Sequence, residues 1–192
     1  MTTYPTRTRR WTRAEYDRLI EVGVFHPGEP VELLGGELIV SEPQGSAHYT
    51  AILLVEDALR AALGPGWLVR TQGPVALDDE SEPEPDLTVV PGGARDYSRE
   101  HPSRPALVVE VAESSLARDR EHKGSLYARA RVDDYWILNL VDRVLEVYRR
   151  PIPDPSAPFG CRYAAKEVRG PESSVAPLAA PGAPVLVSDL LP

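Results

Sequence analysis

The sequence predicts an α/β (mixed α+β) fold in which a central mixed β-sheet is flanked by helices. Three observations predict it. Strand-like and helix-like patterns alternate along the chain, as they do where helices pack on a sheet. None of the 20 prolines falls in 44–64 or in 106–150. Proline disrupts helix interiors and central strands, so these windows should hold the regular core. Within the larger window, ALVVEVA (106–112) is the near-continuous apolar run that a strand buried on both faces requires.

The elements follow in order. Thr12-Arg13-Ala14-Glu15 reads as a capping box that opens an N-terminal basic helix, 12–23 with its cap. VELLGGELIV (31–40) sets two short apolar runs around Gly35-Gly36, a hairpin signal. From about Ala47, residues Ile52, Val55, Leu59 and Leu63 fall at helical spacing and stop at Gly64-Pro65. Residues 67–77 read as strand broken at Gly73-Pro74, followed by an acidic loop (78–86), a strand (87–90) and a loop (91–105). After the strand 106–112, Ser114 or Ser115 can cap a helix running to about Arg131. Residues 134–141 and 143–150 read as paired strands around Asp142-Arg143. Beyond residue 150 lie nine of the prolines, with one strand expected near 161–168 and a short element at 185–190. The expected organisation is a core domain over 1–150 and a proline-rich C-terminal extension, 151–192, packed on it.

Composition bounds the function. At 42% hydrophobic and 26% charged residues the chain is an ordinary globular protein. No run reaches the ~18 apolar residues of a membrane span, and the N-terminus lacks the apolar stretch of a signal peptide. Cys161 is the one cysteine, which excludes an internal disulfide framework and a multi-cysteine zinc site. The cytoplasm is the expected compartment. A net charge of −8 speaks against nucleic acid, but its distribution is uneven. Residues 1–20 sum to +3, 21–60 to −6, 61–90 to −5 and 91–131 to +2. An acidic centre that suits a metal thus lies between two basic stretches that suit phosphates. The ordinary alternative is a solvated acidic surface.

Four kinds of residue stand out. Glu110 sits in the middle of ALVVEVA, where an ionised carboxylate is costly unless paired or bound to a cation; the ordinary alternative is a buried ion pair with an arginine. Asp86 follows Pro85 at the mouth of the strand 87–90, in a loop where acids are common. Lys123 is one of two lysines among 21 basic residues. It shares a helical stripe with Leu116, Tyr127 and Ala130, so it should point inward, towards the strand of Glu110, unless it snorkels at a helix edge. Asp119, four residues earlier, could pair with it. In the hairpin, one of Glu32 and Glu37 can face the core. His48, at the start of the second helix, could face a phosphate or a neighbouring acid, or be structural. Clustered carboxylates with one lysine form a hard-oxygen site suited to Mg²⁺ or Mn²⁺, and the natural reaction is phosphodiester hydrolysis.

In order, VELLGGELIV, Pro85-Asp86-Leu87, LVVEVAESS, Asp119-Arg-Glu-His-Lys123, LYARARV and DDYWILN resemble the Uma-two family of restriction-endonuclease-like proteins, within the PD-(D/E)XK nuclease superfamily. The pieces span about residues 11–150. The resemblance implies a restriction-endonuclease-like fold with Asp86 and Glu110 as metal ligands and Glu32 as a further acid. It implies a DNA-directed, metal-dependent endonuclease. The superfamily lysine, usually two positions after the second acid, is replaced here by Ala112, and the resemblance points to Lys123 as its substitute. His48 and Asp119 would lie behind the ligands or face substrate, and the basic segments 7–18 and 118–131 would meet phosphates. Asp133-Asp134 stands where Pro-Glu is more usual, and Tyr135 and Trp136 are expected in the core. Two active sites to cut a duplex imply a homodimer, with the edge strand 143–150 and the proline-rich tail as candidate interfaces. Competing readings are a non-catalytic binding or structural protein that kept the fold, and a carboxylate-pair hydrolase of another class.

Overall fold

The structure, a computed structural model, describes residues 8–41 and 43–192. Its centre is a six-stranded mixed sheet in the order β3-β4-β5-β6-β7-β8, formed by Trp67–Thr71, Leu87–Pro91, Leu107–Ala112, Asp134–Asn139, Val144–Pro153 and Cys161–Arg169. All neighbours are antiparallel except β5 and β6. That parallel pair requires a crossover, and the helical stretch between the two strands supplies it. Ahead of the sheet lie α1 (Arg13–Glu21), the hairpin β1-β2 (Val31–Leu34, Glu37–Val40) and α2 (Ser46–Ala62). The capping box at Thr12 and Glu15 forms as the sequence specifies.

The two faces of the sheet carry separate cores. On one, Ala51, Ile52, Val55 and Leu59 of α2 cover Val109, Val111, Trp136 and Leu138. On the other, Tyr127 and Ala128 cover Val108, Ala112, Tyr135 and Ile137. Tyr135 and Trp136 are therefore core residues, both fully buried. Asp134, which opens β6, accepts from Trp136 Nε1, Arg149 and the Leu178 amide, so it ties the strand start to the C-terminal segment.

Three local expectations change. The strand expected over 67–77 ends at Thr71, because Gln72 turns the chain with φ 47°. The helix after β5 is not uniform: α3 (Leu116–Arg118) passes into a π-helical turn (Asp119–Lys123) and then α4 (Gly124–Arg129). Strand β7 runs across residue 150 to Pro153. Its pairing with β6 ends at Arg149, so Pro151 and Pro153 lie where β7 has a neighbour on one side only, and there a missing N–H costs nothing. The segment beyond 150 thus supplies β8, together with Val175, Val185, Val187 and Leu190 of the α2-side core. With β8 paired along it, 144–153 is an inner strand; the sheet edges are β3 and β8. Among the described residues no helix is long and apolar enough to cross a membrane.

The hairpin turn leaves little freedom at Gly35. Its φ is +56°, and a Cβ there would stand 2.2 Å from the Phe159 ring. Gly35→Ala is expected to cost about 1–3 kcal/mol, seen in thermal melts as a loss of about 2–4 °C per kcal/mol.

Candidate active site

Asp86 and Glu110 meet because of strand register. In the β4-β5 ladder Leu87 faces Val109 and Thr88 faces Val108, so Asp86 and Glu110 stand one pair beyond, on the same side of the pleat. The Val111 amide donates to Asp86 Oδ2 at 2.8 Å, and the Asp86 amide reaches Glu110 Oε2 at 3.5 Å. Pro85 supports this arrangement by holding Glu84 extended at the approach to β4.

Lys123 reaches the pair from the π-helical turn. Its Nζ lies 3.1 Å from Glu110 Oε1 and 3.1 Å from Glu32 Oε2. All three side chains are nearly solvent-free, at 4%, 3% and 3% exposure. Glu110 is therefore paired with lysine rather than arginine. Glu32 is the hairpin acid that faces inward, while Glu37 is exposed. Glu32 also accepts from Ser41 Oγ and the Glu84 amide. The Asp119–Lys123 pair expected at i,i+4 does not form, because the wider π turn rotates the two side chains out of that register. Asp119, buried, instead accepts from Ser115 Oγ at 2.5 Å.

Around these residues stand groups that sequence reasoning passed over. The Tyr127 hydroxyl donates to Glu110 Oε1 at 2.7 Å. The helical stripe shared with Lys123 counts Tyr127 as apolar, and its hydroxyl one turn beyond a buried lysine is the signal in the sequence. Asp86 Oδ1 contacts His48 Nε2 at 3.2 Å and accepts from Gln44 Nε2 at 3.2 Å, and Gln72 Nε2 in turn donates to Gln44 at 3.0 Å. Nothing in the local sequence marks either glutamine. Gln44, His48 and Lys123 line a cavity of about 560 Å³ whose walls carry the carboxylates of Glu32, Glu84, Asp86, Glu110, Glu113 and Asp119, while Tyr127 and Gln72 stand behind that wall.

The electrostatics follow from burial. Desolvation, with Asp86, Asp119 and Glu32 nearby, pushes Glu110 up to about 8 despite Lys123. Desolvation also raises Asp119 and Glu84. Burial alone would lower Lys123, but Glu110, Glu32, Asp119 and Asp86 outweigh it and hold the ammonium above the ordinary lysine value. Among the described residues, six carboxyl groups and two basic side chains thus line the pocket, and burial makes ionising the acids costly unless a cation offsets it. Among the described residues no three His, Cys, Asp or Glu side chains converge closely enough to hold one ion. The expected three-acid set of Glu32, Asp86 and Glu110 is therefore not a ready-made cage, because Glu32 is drawn to Lys123 and the Glu84 amide. Mg²⁺ needs only one or two carboxylates, completing its shell with water and phosphate oxygens. Asp86 and Glu110 fit that requirement.

Glu110 also makes stability depend on pH. Its folded value lies above the ordinary 4.5, so the folded state holds the proton more tightly than the unfolded chain. This contribution is full below about 4.5 and is lost as pH rises towards about 8, with a slope of at most about 1.4 kcal/mol per pH unit. Urea titrations in chelator should show the decline between pH 5 and 8, Glu110→Gln should remove the Glu110 share and leave what Asp119 and Glu84 contribute, and Mg²⁺ should flatten it.

The comparisons with known proteins agree with this architecture. A solved structure from Anabaena variabilis, described as "a putative nuclease belonging to DUF820", superposes with a TM-score of 0.65. The alignment covers 90% of this chain and 96% of that one at 15% identity, which shows a shared fold. No curated protein matches the chain. A family model for Uma2, described as "Putative restriction endonuclease", matches residues 13–186. Because that match covers nearly all of the sheet and the cavity, the chain belongs to the Uma2 restriction-endonuclease-like family.

Proposed function

We propose that the protein is a Mg²⁺- or Mn²⁺-dependent endonuclease that hydrolyses phosphodiester bonds in DNA. The observation that carries this reading is the meeting of Asp86, Glu110 and the Lys123 ammonium on one cavity wall, the two acids one rung beyond the β4-β5 ladder. Membership of a restriction-endonuclease-like family supports a nuclease, and DNA as its substrate.

Asp86 and Glu110 would hold the divalent cation, which when bound supplies Lewis-acid polarisation of a phosphoryl oxygen and a more acidic water. His48 and Gln44 fix the outer oxygen of Asp86, while the Val111 amide fixes the inner one. Tyr127 and Lys123 together fix Glu110 Oε1. Lys123 stays protonated at neutral pH because four acids surround it. Its role is therefore to orient water and offset negative charge developing on the phosphate, not to accept a proton. Glu32 holds the ammonium in place from the hairpin side. Asp119 stands behind the site, held by Ser115. Cutting both strands of a duplex calls for two such cavities, which a homodimer would supply.

The test is cleavage of plasmid and oligonucleotide DNA in Mg²⁺ and in Mn²⁺. Cleavage should vanish in chelator. Asp86→Asn, Glu110→Gln and Lys123→Met should each lower kcat by at least about 10²-fold. A wild-type protein that cuts no nucleic acid in either metal, or cutting that survives all three changes, would overturn the reading. Hydrolysis of another ester that persists in chelator would instead favour a carboxylate-pair mechanism.

A further inference from the structure

The cations expected to meet phosphates are mostly committed elsewhere. In the N-terminal segment, Arg7 lies outside the described residues. Arg9 pairs with Glu15, Arg13 with Glu82 and Arg18 with Glu21, while Arg10 donates to the Gly35 carbonyl. In the segment 118–131, Arg120 pairs with Glu146, Lys123 with Glu32 and Glu110, and Arg129 with Asp78, while Arg131 donates to the Pro151 carbonyl. Arg118 is the exception. It makes no ion pair among the described residues, and its Nε is shut off from solvent with no hydrogen-bond partner among them.

Arg118 also stands in the right place. It closes α3 immediately before the π turn and lines the same cavity as Asp86, Glu110 and Lys123. Among the described residues, Arg118 and Lys123 are the two arginine or lysine side chains on that wall, and Lys123 is already shared between two acids. A phosphodiester entering the cavity would otherwise face carboxylates. No guanidinium nitrogen of Arg118 is taken by an acid or carbonyl among the described residues. The two Nη groups at the end of a planar guanidinium present parallel N–H groups that match two oxygens of one phosphate.

We infer that Arg118 is the substrate-phosphate contact of this site, taking two oxygens of a phosphodiester through the two Nη groups at the end of its guanidinium. The inference rests on the nuclease reading and adds to it the residue that anchors the nucleic-acid backbone. Its place on the cavity wall would set the phosphate in the same cavity as Asp86 and Glu110.

The test compares wild type, Arg118→Gln and Arg118→Lys. Binding to a short fluorescent DNA duplex is read by anisotropy in Ca²⁺ over a KCl series, with cleavage assayed in parallel in Mg²⁺ and Mn²⁺. Arg118→Gln should weaken binding by about 10- to 100-fold and make the log–log salt slope shallower by about 0.9, the release expected for one lost phosphate contact. Arg118→Lys should keep the slope and lose part of the affinity, because it keeps the charge without the fork. Unchanged affinity and slope in Arg118→Gln overturn the inference while leaving hydrolysis standing if the wild type cuts. A wild type that cuts nothing but shows both changes at Arg118→Gln discards hydrolysis and keeps the contact. If Arg118→Gln does not fold by circular dichroism, Arg118→Lys decides: reduced affinity at constant slope supports the inference, and unchanged affinity overturns it.

Discussion

The Lys123 ammonium, 3.1 Å from both Glu110 and Glu32, joins three elements that nothing local brings together. Glu110 lies in the centre of the sheet, Glu32 in a separate two-stranded hairpin, and Lys123 in the crossover between β5 and β6. Each charge is almost wholly desolvated, so none is tolerable without the others. Removing one member of such a group costs roughly 3–5 kcal/mol, since it leaves an uncompensated buried charge. The hairpin is thereby tied to the sheet by charge, and by the Leu33–Glu82 bridge to the loop that leads into β4. The cavity between them is held open by polar groups rather than closed by apolar packing.

The π-helical turn is the local device that makes this possible. A regular helix would carry Asp119 and Lys123 on one face and let them neutralise each other. The wider turn releases Lys123 towards β5 and leaves Asp119 with Ser115. On the outer side of the same turn, Arg120 pairs with Glu146 of β7, whose carboxyl is held down to about 2; burial opposes this, but Arg120, Lys166 and Tyr148 outweigh it. One turn therefore sends two cations to different partners, Lys123 to the cavity and Arg120 to a buried acid of the inner strand β7. Widened turns of this kind are often found at functional sites because they cost helix regularity that only a specific contact repays.

Much of this was legible from residue patterns. The capping box, the Gly-Gly hairpin, the buried strand around Glu110 and the helical span of α2 all follow from periodicity and turn chemistry that depend on near neighbours. The inward direction of Lys123 was legible too, because a stripe through Leu116 and Tyr127 survives a change of winding. What was not legible depends on register between distant segments. The alignment of Asp86 with Glu110 is set by the β4-β5 ladder, and Gln44 and Gln72 enter the site only through the path of two loops. The early end of β3 depends on a left-handed backbone at Gln72, whose amide bonds to the Asp86 carbonyl. The reach of β7 past residue 150 was hidden by proline, which bars a central strand but not one with a free side.

Charge counted along the sequence also differs from charge counted in space. The run from 91 to 131 is positive in sequence, yet three of its cations sit on buried or half-buried acids: Arg120 on Glu146, Lys123 on Glu32 and Glu110, and Arg129 on Asp78. The N-terminal arginines are similarly paired at the surface, where such bonds are weak and exchangeable. A chain of net charge −8 therefore offers the phosphate backbone few strong contacts of its own. On the proposed reading, its affinity for a polyanion would come from a small number of well-placed groups, the cation that Asp86 and Glu110 would hold and the Arg118 guanidinium. This arrangement favours close engagement of one phosphate over broad, non-specific coating of the duplex.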